Sequence, residues 1–280
     1  MTTPSTDGRG KACSSGGLTR QPYPTATLID LHSHILPRVD DGAQTIEQSR
    51  ALARLAAAEG VAAIAATPHV RTDYPTRAEQ MERRVAELRR DFGEQGIAVE
   101  VLHGGEVAFD TLPRLDHEER RRFTLAQSGV YLLLEFPYRG WPLGLEERVR
   151  ELIASGLTPI LAHPERNTEV RADPSRLLEA NRAGALVQIT AASVDGRLGP
   201  RSQKAAQRLL ELGLAHVLAS DAHTPEVRQA GLASAVAAVE DERLARYLTE
   251  EAPAAIVAGE PVPDPPAWKR RGRRRRFIVF

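Results

Sequence analysis

From residue 27 onward the chain alternates short β-like apolar runs with longer helical patterns, and this alternation limits what it can fold into more than any other feature. Strands are predicted at Leu28–Leu31, Val61–Ala66, Ala98–Leu102, Tyr131–Phe136, Pro159–Ala162, Leu186–Thr190 and His216–Ala219. Helices are predicted between them, near 45–59, 76–95, 144–155, 174–182 and 200–212, with more near 226–249. Gly60, Gly96, Gly156, Gly184 and Gly213 each fall near a helix end just ahead of the next strand, the place of a C-cap glycine. Repeated β-then-α units require parallel strands joined by right-handed crossovers. The strand runs are continuous rather than alternating, as expected where helices cover the sheet. Seven such strands either close into a barrel or lie in an open doubly wound sheet, and the pattern alone leaves both open.

The ends of the chain differ from this body. Residues 1–26, rich in Gly, Ser, Thr and Pro, are expected to be a disordered leader, and 27–260 a single folded domain. Residues 261–267 (PVPDPPA) read as a proline-rich linker ahead of a basic tail that runs to residue 280. That tail, 269–280, holds seven Lys or Arg and no acid, followed by Phe277, Ile278, Val279 and Phe280. Setting those seven aside leaves 30 basic against 37 acidic residues, so the body carries about −7. A negative body argues against nucleic acid as a partner. The tail suits a peripheral contact with an anionic membrane surface or an acidic partner, and equally a solvated terminus. No apolar run reaches the 18 residues of a membrane span, and no apolar stretch of signal-peptide length opens the sequence, so a cytoplasmic location is expected, with the inner membrane face as a further option. Cys13, the sole cysteine, lies in the leader, which excludes an internal disulfide and argues against cysteine-based catalysis.

The chemistry is concentrated where the strands end. Strand one runs into Asp30-Leu31-His32-Ser33-His34, followed by Asp40-Asp41-Gly42. The second is followed by His69, the third by His103-Gly104-Gly105-Glu106, and the fourth ends at Glu135. The fifth reaches His163-Pro164-Glu165-Arg166 and the last Ser220-Asp221-Ala222-His223. Six of seven strand ends thus carry a hard or borderline ligand, and in a parallel α/β architecture those ends share one face. His32-x-His34 and Asp221-x-His223 each place two side chains on one face of an extended segment. Imidazole with carboxylate suits zinc, manganese or iron. The candidates outnumber what one ion needs, so two or three divalent cations are expected. Asp40 and Asp41 are adjacent and diverge, and from the residues alone either serves. His117 and His216 fit no ligand pattern and read as structural or exposed. His103 stays open. Arg166 and Arg228 lie just beyond ligand-bearing segments, where a guanidinium suits a phosphate oxyanion or an ordinary surface position. Tyr74, Tyr138 and Trp141 either line the mouth for an aromatic substrate or pack loops.

The stretches DLHSHILPRVDDGAQT, ATPHV, GGEVAF, LLLEFP, PILAHPERN, QITAASVDGRLG and AHVLASDAH resemble, in order, the polymerase and histidinol phosphatase (PHP) superfamily. The resemblance is to its bacterial tyrosine-protein phosphatase branch of capsule and exopolysaccharide synthesis. It implies an α/β fold of distorted (β/α)7 TIM-like barrel type. It also implies a trinuclear site, often manganese-loaded, with His32, His34, Asp41, His69, Glu106, Glu135, His163, Asp221 and His223 as ligands, favouring Asp41 over Asp40. Arg166 and Arg228 match the branch's phosphate-binding arginines. Gln229 departs from an expected proline and Ala252 from an expected asparagine. The implied activity is that of a metal-dependent phosphoric monoester hydrolase. Its implied substrate is phosphotyrosine on a partner protein, a bacterial tyrosine autokinase. A small-molecule phosphatase of the histidinol phosphate kind is the nearest alternative. A nuclease or a non-catalytic binding module stands further off.

Overall fold

The computed structural model describes residues 27–225 and 231–268. Nine parallel strands are found among them: β1 (Leu28–Ser33), β2 (Val61–Ala66), β3 (His69–Val70), β4 (Glu100–Leu102), β5 (Glu106–Ala108), β6 (Tyr131–Glu135), β7 (Thr158–Ala162), β8 (Leu186–Thr190) and β9 (Val217–Ala219). They hydrogen-bond in the orders β1-β2-β4 and β3-β5-β6-β7-β8-β9. Since β3 follows β2 and β5 follows β4, the two sheets are one surface of seven strand positions, interrupted at Thr67-Pro68 and at His103–Gly105. A parallel bridge between Ser33 and Ala222, with His34 N–H donating to the Ala222 carbonyl at 2.7 Å and Asp221 N–H to that of His32 at 2.9 Å, joins the last strand position to the first. The choice left open by the sequence is settled in favour of a distorted barrel.

Alternation within the strands separates two apolar regions. One side carries Ile29, Leu31, Ala63, Ala65, Leu133, Ile160, Ala162, Val217 and Ala219, which pack on one another as a lumen does. The other side, including Ile64, Val101, Leu134, Leu161 and Ile189, meets the helices. Helix α1 (Ile46–Ala58) starts at Thr45, whose side chain accepts from the Gln48 N–H. Helix α2 (Ala78–Glu94) buries Met81, Val85, Leu88 and Phe92 at helical spacing and leaves its arginines outside. Each of those side chains contributes about 1.5–3 kcal/mol by burial. The wall continues through α3 (His117–Arg122), α4 (Leu145–Ala154), α5 (Thr168–Ala172), α6 (Leu178–Arg182), α7 (Ala191–Val194), α8 (Pro200–Glu211), α9 (Ala233–Val239), α10 (Glu242–Arg246) and α11 (Ala252–Ala258). Among the described residues no helix is long and apolar enough to cross a membrane.

Residues 261–267, which read in the sequence as a linker, lie against the barrel together with Trp268. Hydroxyls of Tyr131 and Tyr247 donate to the carbonyls of Glu260 and Pro263 at 2.5 and 2.7 Å, and the Trp268 indole donates to Val239 at 2.9 Å. This strap faces Gly184–Leu186 and Gly213–His216, the segments that lead into β8 and β9. It therefore covers the end of the barrel where strands begin. The expected leader (1–26) and basic tail (269–280) lie outside the described residues.

Candidate metal centre

At the opposite end, where strands finish, the structure brings together all nine residues of the expected ligand set. Eight are buried, and the Asp41 side chain is 40% exposed at the mouth. Their donor atoms form four overlapping groups in which every atom lies within 4.8 Å of the others. These are His34/Asp41/His69/His223, His32/His34/Glu106, His32/His163/Asp221 and His69/Glu106/Glu135. His103 and His216 belong to none of them. His216 is buried at the strap end and accepts from the Val187 N–H, while His117 is exposed at the start of α3.

Local backbone devices aim these side chains. Register between β1 and β2 runs Asp30↔Ile64 and then Ser33↔Ala66, so β1 holds one extra residue, a bulge, where His32 turns into the cluster. The pair thus meets through an irregular strand end rather than plain extended alternation. His163 (φ 37°) and Asp221 (φ 52°) both take the left-handed region, which costs a non-glycine residue about 1–3 kcal/mol and recurs at functional sites. Gly42 is required by contact: a Cβ there would lie 2.1 Å from the His34 carbonyl oxygen.

Neighbours that are not themselves candidate ligands orient the imidazoles. Nδ1 of His32 faces Gln188 Oε1 at 2.9 Å, and Nδ1 of His34 faces Asp40 Oδ2 at 2.7 Å. Asp40 also accepts from the N–H groups of Gly42 and His69, both at 2.9 Å. With both Nδ1 atoms donating, the two Nε2 lone pairs converge 3.2 Å apart. Glu106 Oε2 and Asp221 Oδ1 lie 3.4–3.5 Å from each of them. Neighbouring donors about 2.1 Å from one tetrahedral cation are separated by about 3.4 Å, and the two carboxylates fall in different groups, Glu106 with His32 and His34 and Asp221 with His32 and His163. Glu106 Oε2 makes no hydrogen bond although it is buried among three imidazoles, and His163 Nδ1 is likewise without one. Atoms arranged in this way fit divalent cations better than they fit one another.

The electrostatics agree. Among the described residues, five carboxylates (Asp40, Asp41, Glu106, Glu135 and Asp221) meet two guanidinium groups, Arg71 and Arg166. Burial opposes charge on His32 and His34, yet the carboxylates outweigh it and raise both imidazoles, His34 strongly. Glu106 is held well below the usual carboxylate range by His32 and His69 in spite of its burial. Burial and the Glu106 charge push Glu135 up, and burial lowers His163 to about 4, keeping it neutral. A buried anionic cluster of this kind draws protons where no cation balances it.

Arg166, expected near a phosphate, donates through Nη1 to Asp221 Oδ2 and lies 4.7 Å from the centre of the Tyr138 ring. Arg228, the other expected arginine, lies outside the described residues. Tyr138 stacks on His163 at 5.7 Å and Tyr74 on His69 at 5.8 Å, whereas Trp141 packs edge-on to Phe136 under Arg176. Sequence reading missed Arg71, which bridges Asp73 and Glu135 at 2.8 and 2.9 Å. Its place two residues after His69 was the available signal.

Residues 28–257 match the family described as "Capsular polysaccharide synthesis, CpsB/CapC". The chain is 34% identical to tyrosine-protein phosphatase YwqE of Bacillus subtilis (strain 168) over 229 residues, covering 80% of this chain and 90% of that protein. It is 33% identical to the putative tyrosine-protein phosphatase CapC of Staphylococcus aureus over 198 residues, covering 70% and 77%. Its fold matches a crystal structure from work on YwqE of Bacillus subtilis and CpsB of Streptococcus pneumoniae, described as unique metal-dependent tyrosine phosphatases. That match has a TM-score of 0.76 and 32% identity, covering 87% of this chain and 100% of the other.

Proposed function

This chain belongs to the CpsB/CapC family of capsular polysaccharide synthesis proteins, and from that premise we propose that it is a metal-dependent protein-tyrosine phosphatase. The observation that carries the reading is the convergence of His32 and His34 on Glu106 and Asp221, with each Nδ1 atom held by a neighbour. The nine residues His32, His34, Asp41, His69, Glu106, Glu135, His163, Asp221 and His223 would hold two or three divalent cations, with Mn2+ first and Fe or Zn as alternatives. Such cations supply Lewis acidity towards a phosphoryl oxygen and make water a stronger acid. The chain's own residues do the rest. Gln188 and Asp40 fix the tautomers that present Nε2 of His32 and His34. Arg166 donates to the equatorial phosphoryl oxygens as charge builds on them, and we assign the same role to Arg228 from the sequence. A phenolate, whose conjugate acid has a pKa near 10, is a better leaving group than an alkoxide.

The proposed substrate is phosphotyrosine on a tyrosine autokinase that governs capsule or exopolysaccharide synthesis. The catalytic domain is taken as 27–260, working in the cytoplasm, with the basic tail resting on the inner membrane face. Comparing kcat/KM for a phosphotyrosine peptide and for histidinol phosphate tests this reading. The peptide should lead by at least about tenfold, a margin that contacts to a whole side chain supply. A lead for histidinol phosphate would move the chain to the small-molecule class.

A further inference from the structure

Beside the metal centre lies a recess of about 530 Å³ that no expected site residue except Glu135 enters. Its walls come from three loops at the strand ends: Arg71, Thr72 and Asp73; Ala108, Phe109 and Asp110; and Pro137 with Pro142. Glu135 belongs both to the recess and to the group His69/Glu106/Glu135, so the cavity adjoins the candidate cation site at that side chain. Arg71 is paired with Asp73 and Glu135, which leaves the recess without an uncompensated cation. Its apolar surface is Phe109 and the two prolines. The loop bearing the prolines is fixed in place: Asn167, itself buried, donates to the carbonyls of Pro137 and Gly140 at 2.6 and 2.8 Å. Arg71, Asp73, Asp110 and Glu135 also line it, but an apolar wall of Phe109, Pro137 and Pro142 beside the candidate phosphoryl-binding centre is suited to the flat ring of an aryl phosphate. Of the aromatics singled out in the sequence, Tyr74 stacks on His69, Tyr138 on His163 and Trp141 packs on Phe136, and none of the three lines this recess.

We propose that the tyrosyl ring of the substrate binds in this recess against Phe109, Pro137 and Pro142, making these residues the determinants of aryl over alkyl phosphate esters. The proposal rests on the phosphatase reading. A phosphoserine side chain is too short to fill the slot and forgoes its burial.

The test measures manganese-loaded protein on a phosphotyrosine peptide, with inorganic phosphate as a competitive inhibitor that reports on the cation site alone. Phe109→Ala should raise KM about tenfold, the equivalent of one lost aromatic contact. The phosphate inhibition constant should stay within about twofold, and Phe109→Leu should recover part of the loss. Thr72→Trp, at an exposed lining position, should raise KM by filling the slot even if Phe109→Ala fails to fold. An unchanged KM in these variants, or a phosphate constant that rises in step with it, overturns the proposal. A wild type that cleaves no phosphomonoester overturns it too, and that failure belongs to the phosphatase reading.

Discussion

At the scale of single residues, the cluster is a set of charges that cannot remain uncompensated. His32 and His34 titrate above their ordinary value of 6.5 in the metal-free fold because, against the cost of burial, Glu106, Asp221 and Asp40 favour their protonated forms. A raised folded pKa stabilises the fold fully below the unfolded value and ceases to do so as pH rises through the folded one. Asp41 and Glu106, which are lowered, contribute above their ordinary values of 3.8 and 4.5 and lose that contribution as pH falls through the folded ones. Metal-free protein should therefore melt at progressively lower temperature as pH rises from 6.5 into the alkaline range, while manganese-loaded protein should not. Calorimetry of both forms across that range checks it, and a metal-free melting temperature that stays flat or climbs would contradict it. The candidate ligands were visible in the sequence because His or a carboxylate recurs at six of seven strand ends, and only the resemblance favoured Asp41 over Asp40. Asp40 and Gln188 were not legible as orienting residues, since Gln188 meets His32 across 156 positions and only the folded chain shows it.

At the scale of elements, seven strand positions were legible because each is a continuous apolar run. β3 and β5 were not seen as separate strands, since two or three residues are too few for any periodicity to register. The break between α9 and α10 comes from Glu240 at φ 55°, a left-handed residue that no glycine announces. The loop that follows β6 is tied to the start of α5 by side-chain hydrogen bonds. Asn167 caps α5 by accepting from Glu169 and Val170 while donating to two carbonyls of the 137–140 loop. Asn167→Ala removes a cap and leaves two carbonyls without their donor, and should cost about 2–4 kcal/mol. A urea midpoint that shifts by the equivalent of less than about 0.5 kcal/mol would show that the loop is held by something else.

On the scale of the whole molecule, barrel closure was beyond the apolar pattern, because it depends on the Ser33–Ala222 bridge between the two ends of the fold. Closure also gives the molecule two distinct faces. Proposed ligands lie at the strand ends, and the strap ending at Trp268 lies where β8 and β9 begin. The last described residue, Trp268, thus lies away from the site, and the seven basic residues of 269–280 follow it in sequence on a body that is otherwise acidic. If the tail rests on an anionic bilayer, as proposed, the site remains open to a protein substrate. The protein should co-sediment with vesicles rich in anionic lipid and not with neutral ones. Replacing Arg273, Arg274, Arg275 and Arg276 by glutamate should weaken that binding by more than about a hundredfold, at roughly 1 kcal/mol per charge near the surface. Equal binding to neutral vesicles, or none to either, would remove the tail from the function.

One measurement bears on all of this together: hydrolysis of a phosphotyrosine peptide after chelation and again after manganese is restored, in wild type and in His32→Ala, with bound metal counted in each. Wild type should lose its activity on chelation, regain it with manganese and hold two or three ions, while His32→Ala should bind fewer ions and remain at least about a thousandfold slower. Wild-type activity that survives chelation, or a His32→Ala variant that hydrolyses the peptide as fast as wild type, would contradict the proposed metal centre.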